Sequence, residues 1–243
     1  MLLSIIIPAL NEERSIGALL DDVGALAIAH EVIVVDGGSS DETVTVAARR
    51  GARVVWARRG RGVQLAAGAR AASAPMLCFL HADVRLHEPA RRELEALMSS
   101  RAAGAFAFRF RIDARGWRYR VIERGTNLRV RLFGLPYGDQ GLIVSRADYD
   151  ATGGYRDVPL MEDVAMVDAL RAVTVIRALR SSLPVSARRW EHDGPFTRML
   201  RNWRLMLAYR LGASPHSLAA RYHLLAPPLP VADRGSNHGT DRG

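Results

Sequence analysis

Four short apolar runs, each followed by a stretch with helical spacing, constrain this chain more than any other feature. Leu2 to Ile7, Glu31 to Val35, Ala52 to Trp56 and Met76 to Leu80 have strand length and are rich in β-branched or large apolar residues. Helical patterns follow at Asn11 to about Leu26, Glu42 to Arg50, Val63 to Ala72 and Pro89 to Met98. Asn11 and the acids Glu12 and Glu13 are expected to open the first of these, with Ile16, Leu19, Leu20 and Val23 on one face. Strands alternating with helices predict an α/β architecture: a Rossmann-like, mostly parallel sheet with helices on both faces. Ligands of such sheets bind at the carboxyl ends of the strands, so the residues just after each run carry the chemistry.

After the first run come Pro8-Ala9-Leu10-Asn11, where no glycine lets a pyrophosphate approach as a dinucleotide fingerprint requires. The second run ends in Asp36-Gly37-Gly38-Ser39-Ser40-Asp41, a turn by composition, in which Asp36 is either a turn former or a contact to a ribose or base. The third leads to Arg58-Arg59-Gly60-Arg61-Gly62, and the fourth to His81-Ala82-Asp83. Taken alone, Asp83 fits a turn or helix cap better than a metal ligand.

Past residue 100 the pattern changes. Gly104 to Arg111 alternates around Phe106, Phe108 and Phe110 and predicts a half-exposed, antiparallel strand. A helix rich in arginine is expected over Trp117 to Leu132, read as a solvated face, then a loop through Asp139 and Gln140 into a strand at Leu142 to Ser145. Arg146 to Thr152 and Glu162 to about Arg171 complete a mixed C-terminal half. Pro195 to Leu211 places Phe196, Met199, Leu200, Trp203, Met206 and Leu207 at helical spacing among arginines. A core-facing helix is the first expectation there and a helix lying on a membrane the second. The expected organisation is a single domain over 1–225, with a nucleotide-binding half (1–100), an acceptor half (101–194), amphipathic helices (195–225) and a disordered tail (226–243).

The formal net charge is +9, and all 34 basic residues are arginine, a group suited to phosphate or anionic lipid partners. The single cysteine, Cys78, lies in an apolar run, so no disulfide framework exists and a reducing compartment fits. No basic segment precedes the apolar N-terminus and no window nears the roughly 18 apolar residues of a spanning helix, so a cytoplasmic protein is expected, with peripheral contact at the inner face of the membrane left open.

Asp36, Asp83, Asp139 and Asp163 each sit at the end of an element, where scaffolds present functional side chains. A carboxylate together with diphosphate oxygens and water is a shell that Mg²⁺ or Mn²⁺ accepts, and Arg59, Arg61 and Arg189 could neutralise the same phosphates.

From Ser4 to about His192 the chain resembles the family 2 glycosyltransferases of the GT-A fold. The motifs are Ile7-Pro8-Ala9-Leu10-Asn11-Glu12, Val34-Val35-Asp36-Gly37-Gly38-Ser39-Ser40-Asp41, His81-Ala82-Asp83, Glu162-Asp163 and Arg189-Trp190. A narrower resemblance, through residues 138–141, 160–164 and 186–190, is to a bacterial subgroup named for its association with radical-enzyme and selenium-domain genes. The resemblance implies the nucleotide-diphospho-sugar transferase fold and an inverting, metal-dependent transfer of a sugar, usually from a UDP donor. It implies that Pro8, Leu10 and Glu12 line the nucleotide pocket, Asp36 contacts the base and Arg61 lies near the nucleotide. Asp83 would hold Mg²⁺ or Mn²⁺; His81 stands where the family usually has another acid. Asp163 matches the catalytic base with Glu162 beside it, and Asp139, Gln140, Arg189 and Trp190 match the diphosphate and acceptor side.

The acceptor is a small molecule or a lipid, and nucleic acid is not an expected partner. The alternative is a non-catalytic membrane- or nucleic-acid-binding protein on a degenerate GT-A fold; a pure binder would need neither Asp83 nor Asp163. A nucleotidyltransferase would want a Gly- and Arg-rich loop after the first strand, which is absent.

Overall fold

The computed structural model describes residues 2–136, 138–187, 190–191 and 194–225, with backbone alone for 223–225. In chain order the first half runs β1 (Leu3–Ala9), α1 (Ile16–Gly24), β2 (His30–Asp36), α2 (Thr43–Arg49), β3 (Arg53–Trp56), α3 (Arg61–Ala71), β4 (Met76–Phe79) and α4 (Glu88–Ser100). The second half runs β5 (Ala105–Asp113), α5 (Trp117–Phe133), a 3₁₀ turn (Gly138–Gln140), β6 (Leu142–Ser145), α6 (Arg146–Ala151), α7 (Glu162–Val173), β7 (Ile176–Ser186), α8 (Pro195–Arg210) and α9 (Pro215–Leu225).

The seven strands form one sheet in the order β3-β2-β1-β4-β6-β5-β7. Strands β1 to β4 are mutually parallel, β6 runs against both β4 and β5, and β5 and β7 are parallel. This is the doubly wound, mostly parallel sheet expected from the alternation. The strand around Phe106 is antiparallel to β6 as expected, yet parallel to β7, because β6 alone of the seven is reversed.

Helices cover both faces, so the strands can be apolar throughout. In β1 the period of two sends Leu3, Ile5 and Ile7 into one core with α1 and α4, and Ile6 into the other with α3 and α7. Two buried polar groups tie the layers. Ser4 donates to Glu31 (2.5 Å) and accepts from Ala74 N–H (3.0 Å). Asp22 on α1 accepts from Arg85 through Nε (2.6 Å) and Nη2 (2.9 Å) and from Leu86 N–H (3.0 Å). Burial would raise the Asp22 pKa, but these donors outweigh it and hold the carboxyl below its ordinary value; the hydroxyl and amides around Glu31 do the same there.

Several expectations are corrected. The first helix begins at Ile16 rather than Asn11: Asn11 is left-handed (φ 56°), and residues 11–13 bond instead to the 39–43 loop. Pro8 lies inside β1 rather than ending it. Strand β7 was not anticipated. The apolar residues named in Pro195 to Leu211 do not face a core together: Met199 and Met206 are half-buried, Phe196, Leu200, Trp203 and Leu207 are exposed, and the buried residue is Leu205, which is not among them. These six residues fall within about a third of the helix circumference, and the buried Leu205 lies on the far side, so the helix packs by the margin of its apolar stripe and leaves the centre of the stripe open. The tail over 226–243 lies outside the described residues.

Asp22→Ala should destabilise the protein by about 1–3 kcal/mol, since it strands Leu86 N–H and removes the partner of Arg85. Because both folded carboxyl pKa values are depressed, the stabilisation is present above the ordinary carboxylate range and lost as pH falls through the lowered values. Thermal melts against pH should therefore show a smaller acid loss in Asp22→Ala than in the parent.

Candidate active site

The carboxyl edge of the sheet gathers the acids singled out above. At β2, Asp36 is fully buried and its Oδ2 accepts from Gly38 N–H (2.7 Å) and Ser39 N–H (2.9 Å), which closes the turn that its composition implied. Its Oδ1 is also buried and has no hydrogen-bond partner among the described residues. A buried acceptor left open is costly, and it suits a donor brought by a ligand. Pro8 lies near the end of the neighbouring β1 and Leu10 and Glu12 just beyond it, all three half-buried; Ala9 pairs in register with Asp36. Gln64 of α3 locks these two strand ends together, its Nε2 donating to Ala9 O and Val35 O, both at 2.9 Å.

A second group surrounds a cavity of about 260 Å³. Arg61, His81, Asp139, Gln140, Glu162, Asp163 and Trp190 all line it, with Met199 and Trp203 of α8 on its far wall. Arg61 begins α3 and faces Glu162, its Nε 3.3 Å from Oε1, while its Nη2 donates to His81 Nε2. The other ring nitrogen of His81 lies 3.5 Å from Asp139 Oδ1 and 3.9 Å from Asp83 Oδ1. His81 thus links the loop after β4 to the 3₁₀ turn and to α3.

Asp163 accepts from Gly138 N–H through Oδ2 (2.9 Å) and from Val164 N–H through Oδ1 (2.8 Å), so the first turn of α7 and the 3₁₀ turn hold it from two sides. A Cβ at Gly138 would stand 2.5 Å from Arg61 Nη2 and 3.0 Å from Asp163 Oδ2, so a side chain there would displace the guanidinium or the carboxylate. Met161, just before the two acids, has φ 66°, an unfavourable conformation for a residue with a side chain. Burial raises the pKa of Glu162, Arg61 opposes that and Asp163 adds to it; the net shift is upward. Burial alone would lower the pKa of Arg61, but Glu162, Asp163 and Asp139 more than offset this and keep it charged.

The remaining residues singled out in the sequence divide. Gln140 is buried and donates to Phe108 O (3.1 Å), anchoring the turn to β5 as well as reaching the cavity. Trp190 is buried, its ring 5.9 Å from Phe110 and 5.4 Å from the Arg198 guanidinium. Arg59 is exposed. Arg189, with Arg188 and His192, lies outside the described residues. Sequence reasoning missed Gln64, whose only signal was one amide in a helix of small residues, and Trp203, hidden in a helical repeat. Among the described residues no group of three or more His, Cys, Asp or Glu side chains converges on a metal position. A single carboxylate, Asp83, nonetheless suits Mg²⁺, which keeps waters and shares phosphate oxygens rather than filling an all-protein cage.

A mostly parallel sheet with one reversed strand, an open carboxylate acceptor at β2 and a carboxylate pair facing a cavity define an α/β protein whose candidate site lies at the carboxyl edge of its sheet. The sequence model of the family described as Glycosyl transferase family 2 matches residues 4–154, and the chain belongs to that family. An uncharacterised glycosyltransferase of Mycobacterium tuberculosis is 42% identical over 81 residues, 33% of this chain and 36% of its own. Glucosyl-3-phosphoglycerate synthase of the same organism is 34% identical over 93 residues, 34% of this chain and 29% of its own. The chain thus spans about a third of the curated relatives it matches.

Among solved structures, M. tuberculosis glucosyl-3-phosphoglycerate synthase in complex with Mn²⁺, UDP and phosphoglyceric acid superposes with a TM-score of 0.60 at 22% identity, covering 86% of this chain and 78% of that one. S. aureus TarS 1-349 with UDP-GlcNAc gives 0.60 at 16%, covering 76% and 58%. The fold is the GT-A fold.

Arg61→Ala should leave Glu162 buried beside Asp163 without its cation; because the Arg61 side chain is 35% exposed and partly screened, the loss of stability near neutral pH should be about 1–3 kcal/mol, below the roughly 3–5 kcal/mol of a fully buried pair. A raised carboxyl pKa destabilises the folded state most above that pKa. The deficit in melting temperature relative to the parent should therefore shrink as pH falls and Glu162 becomes neutral.

Proposed function

We propose that this protein transfers a sugar, with inversion, from a UDP-linked donor to a hydroxyl acceptor. The observation that carries the reading is the pairing of Glu162 and Asp163 at the start of α7, open to a cavity and linked through Arg61 and His81 to Asp83. In this reading Pro8, Leu10 and Glu12 line the nucleotide pocket, and the open Asp36 Oδ1 accepts the base N–H. UDP in the two neighbouring structures supports that choice of donor, and Mn²⁺ in one of them supports a divalent cation here.

Asp83 would hold Mg²⁺ or Mn²⁺, which when bound offsets the negative charge of the diphosphate leaving group. The acceptor hydroxyl enters the cavity and gives its proton to a carboxylate oxygen of Asp163 as it attacks the anomeric carbon. The backbone N–H groups of Gly138 and Val164 fix the direction of that carboxylate. Arg61 neutralises Glu162 and limits repulsion between the two acids. Trp190 and Trp203 give the acceptor an apolar wall, and Arg189 is assigned to the diphosphate.

Asp163→Asn should keep donor binding and lose about 10²- to 10⁴-fold in transfer rate; retained turnover would remove Asp163 as the base. UDP should raise the melting temperature of the parent only with Mg²⁺ or Mn²⁺ present, and Asp83→Ala should abolish that shift. A shift independent of metal would refute the role given to Asp83.

A further inference from the structure

We propose that the outer faces of α5 and α8 form one surface that seats the protein on an anionic lipid bilayer. The two helices carry the same spacing. Trp117, Val121, Arg124, Leu128, Arg131 and Leu132 repeat on α5 as Phe196, Leu200, Trp203, Leu207, Arg210 and Leu211 do along and just beyond α8. Steps of four, seven, eleven, fourteen and fifteen residues keep each set on one helix face. All twelve side chains are exposed, including Trp117 at 67%, Trp203 at 66% and Leu211 at 79%. Their inner faces pack on the protein: Ile122 and Val130 of α5 and Leu205 of α8 are buried. The helices touch each other, and the rings of Trp117 and Phe196 meet at 6.1 Å, which joins the two faces.

Charge selects the occupant. Residues 195–222 contain no acid, and the one acid of α5, Glu123, is buried, accepting from Ile112 N–H and Arg120. Arg118, Arg124, Arg131 and Arg204 are exposed beside the apolar rows. Between α8 and α9 a groove of about 570 Å³ continues the same chemistry, with Leu205 and Leu218 as its floor and Arg201, Arg204 and Arg221 around it. Apolar side chains of this size flanked by arginines match the acyl boundary and the phosphate layer of an anionic leaflet. Nucleic acid would leave Leu128, Leu132, Leu207 and Leu211 in water, and a second copy placed by a two-fold axis would set the arginines against one another. Among the described residues no helix is long and apolar enough to cross a membrane, so the contact is peripheral. Trp203 also lines the cavity that holds Asp163, so that cavity lies next to the bilayer.

The test needs neither donor nor acceptor, so it fails or succeeds apart from the sugar-transfer reading. The full chain is sedimented with phosphatidylglycerol-rich vesicles and with pure phosphatidylcholine vesicles. The expected result is capture by the first, at least about tenfold weaker capture by the second, and loss of binding as salt rises. Leu128→Glu with Leu207→Glu should abolish capture. Arg124→Gln with Arg131→Gln and Arg204→Gln should weaken it about fivefold per arginine. All five positions are exposed, so melting temperatures should stay at the parent value. No capture of the parent by phosphatidylglycerol vesicles, or undiminished capture of the leucine variant, overturns the proposal. So does a concentration-dependent dimer that the leucine substitutions disperse, which would give the face to a second copy.

Discussion

The charge of Arg61 is the constraint on which the carboxyl edge depends. Glu162 is buried at the start of α7 next to a second carboxylate, an arrangement that would expel its charge without a cation in contact. Arg61 supplies that contact from the start of α3 and reaches His81 with the rest of its guanidinium. Because His81 stands close to Asp83 and Asp139, one arginine couples α3, α7, the loop after β4 and the turn before β6. Small residues make the approach possible, Gly138 above all, since any side chain there would collide with the guanidinium.

The reversed strand explains why that turn is available. The parallel strands end at the carboxyl edge, whereas β6 begins there, so the segment feeding it delivers Asp139 and Gln140 to the same place as Asp36 and Asp83. The excursion through α5 precedes this entry, and α8 returns across it, which is how a cavity forms over the acids. A strictly parallel sheet would have put residues 138–140 at the opposite edge.

The first half of the fold was legible because each early strand is a continuous apolar run between turn residues. Strand β7 was not, because Arg177, Arg180, Ser181 and Ser182 interrupt its apolar pattern and Pro184 argues against a strand unless it lies at an edge, as this one does. The start of α1 was misread for a different reason. Asn11-Glu12-Glu13 has the composition of a helix start, but a left-handed Asn11 turns these residues toward the loop after β2, an interaction almost thirty residues away in sequence. Of the candidate site, the carboxylates could be located from the ends of elements, Asp36 and Asp83 at or just after strand ends and Glu162 and Asp163 at a helix start. The bridging role of His81 could not, since it depends on how α3 and the 3₁₀ turn meet.

The edges of the sheet carry one more consequence. At one side β3 has four residues and its Arg53 is occupied with Ala71 O; at the other, β7 carries Arg177, Arg180, Ser181, Ser182 and Pro184, and its Arg180 and Ser181 N–H groups donate to Glu93. Neither margin offers a long run of free amides with apolar flanks, so growth of the sheet by adding a strand from another chain is blocked at both ends. Fibril-type stacking is thereby disfavoured even while large apolar side chains stand in the open on the helices, and the protein can keep a sticky exterior without a sticky backbone.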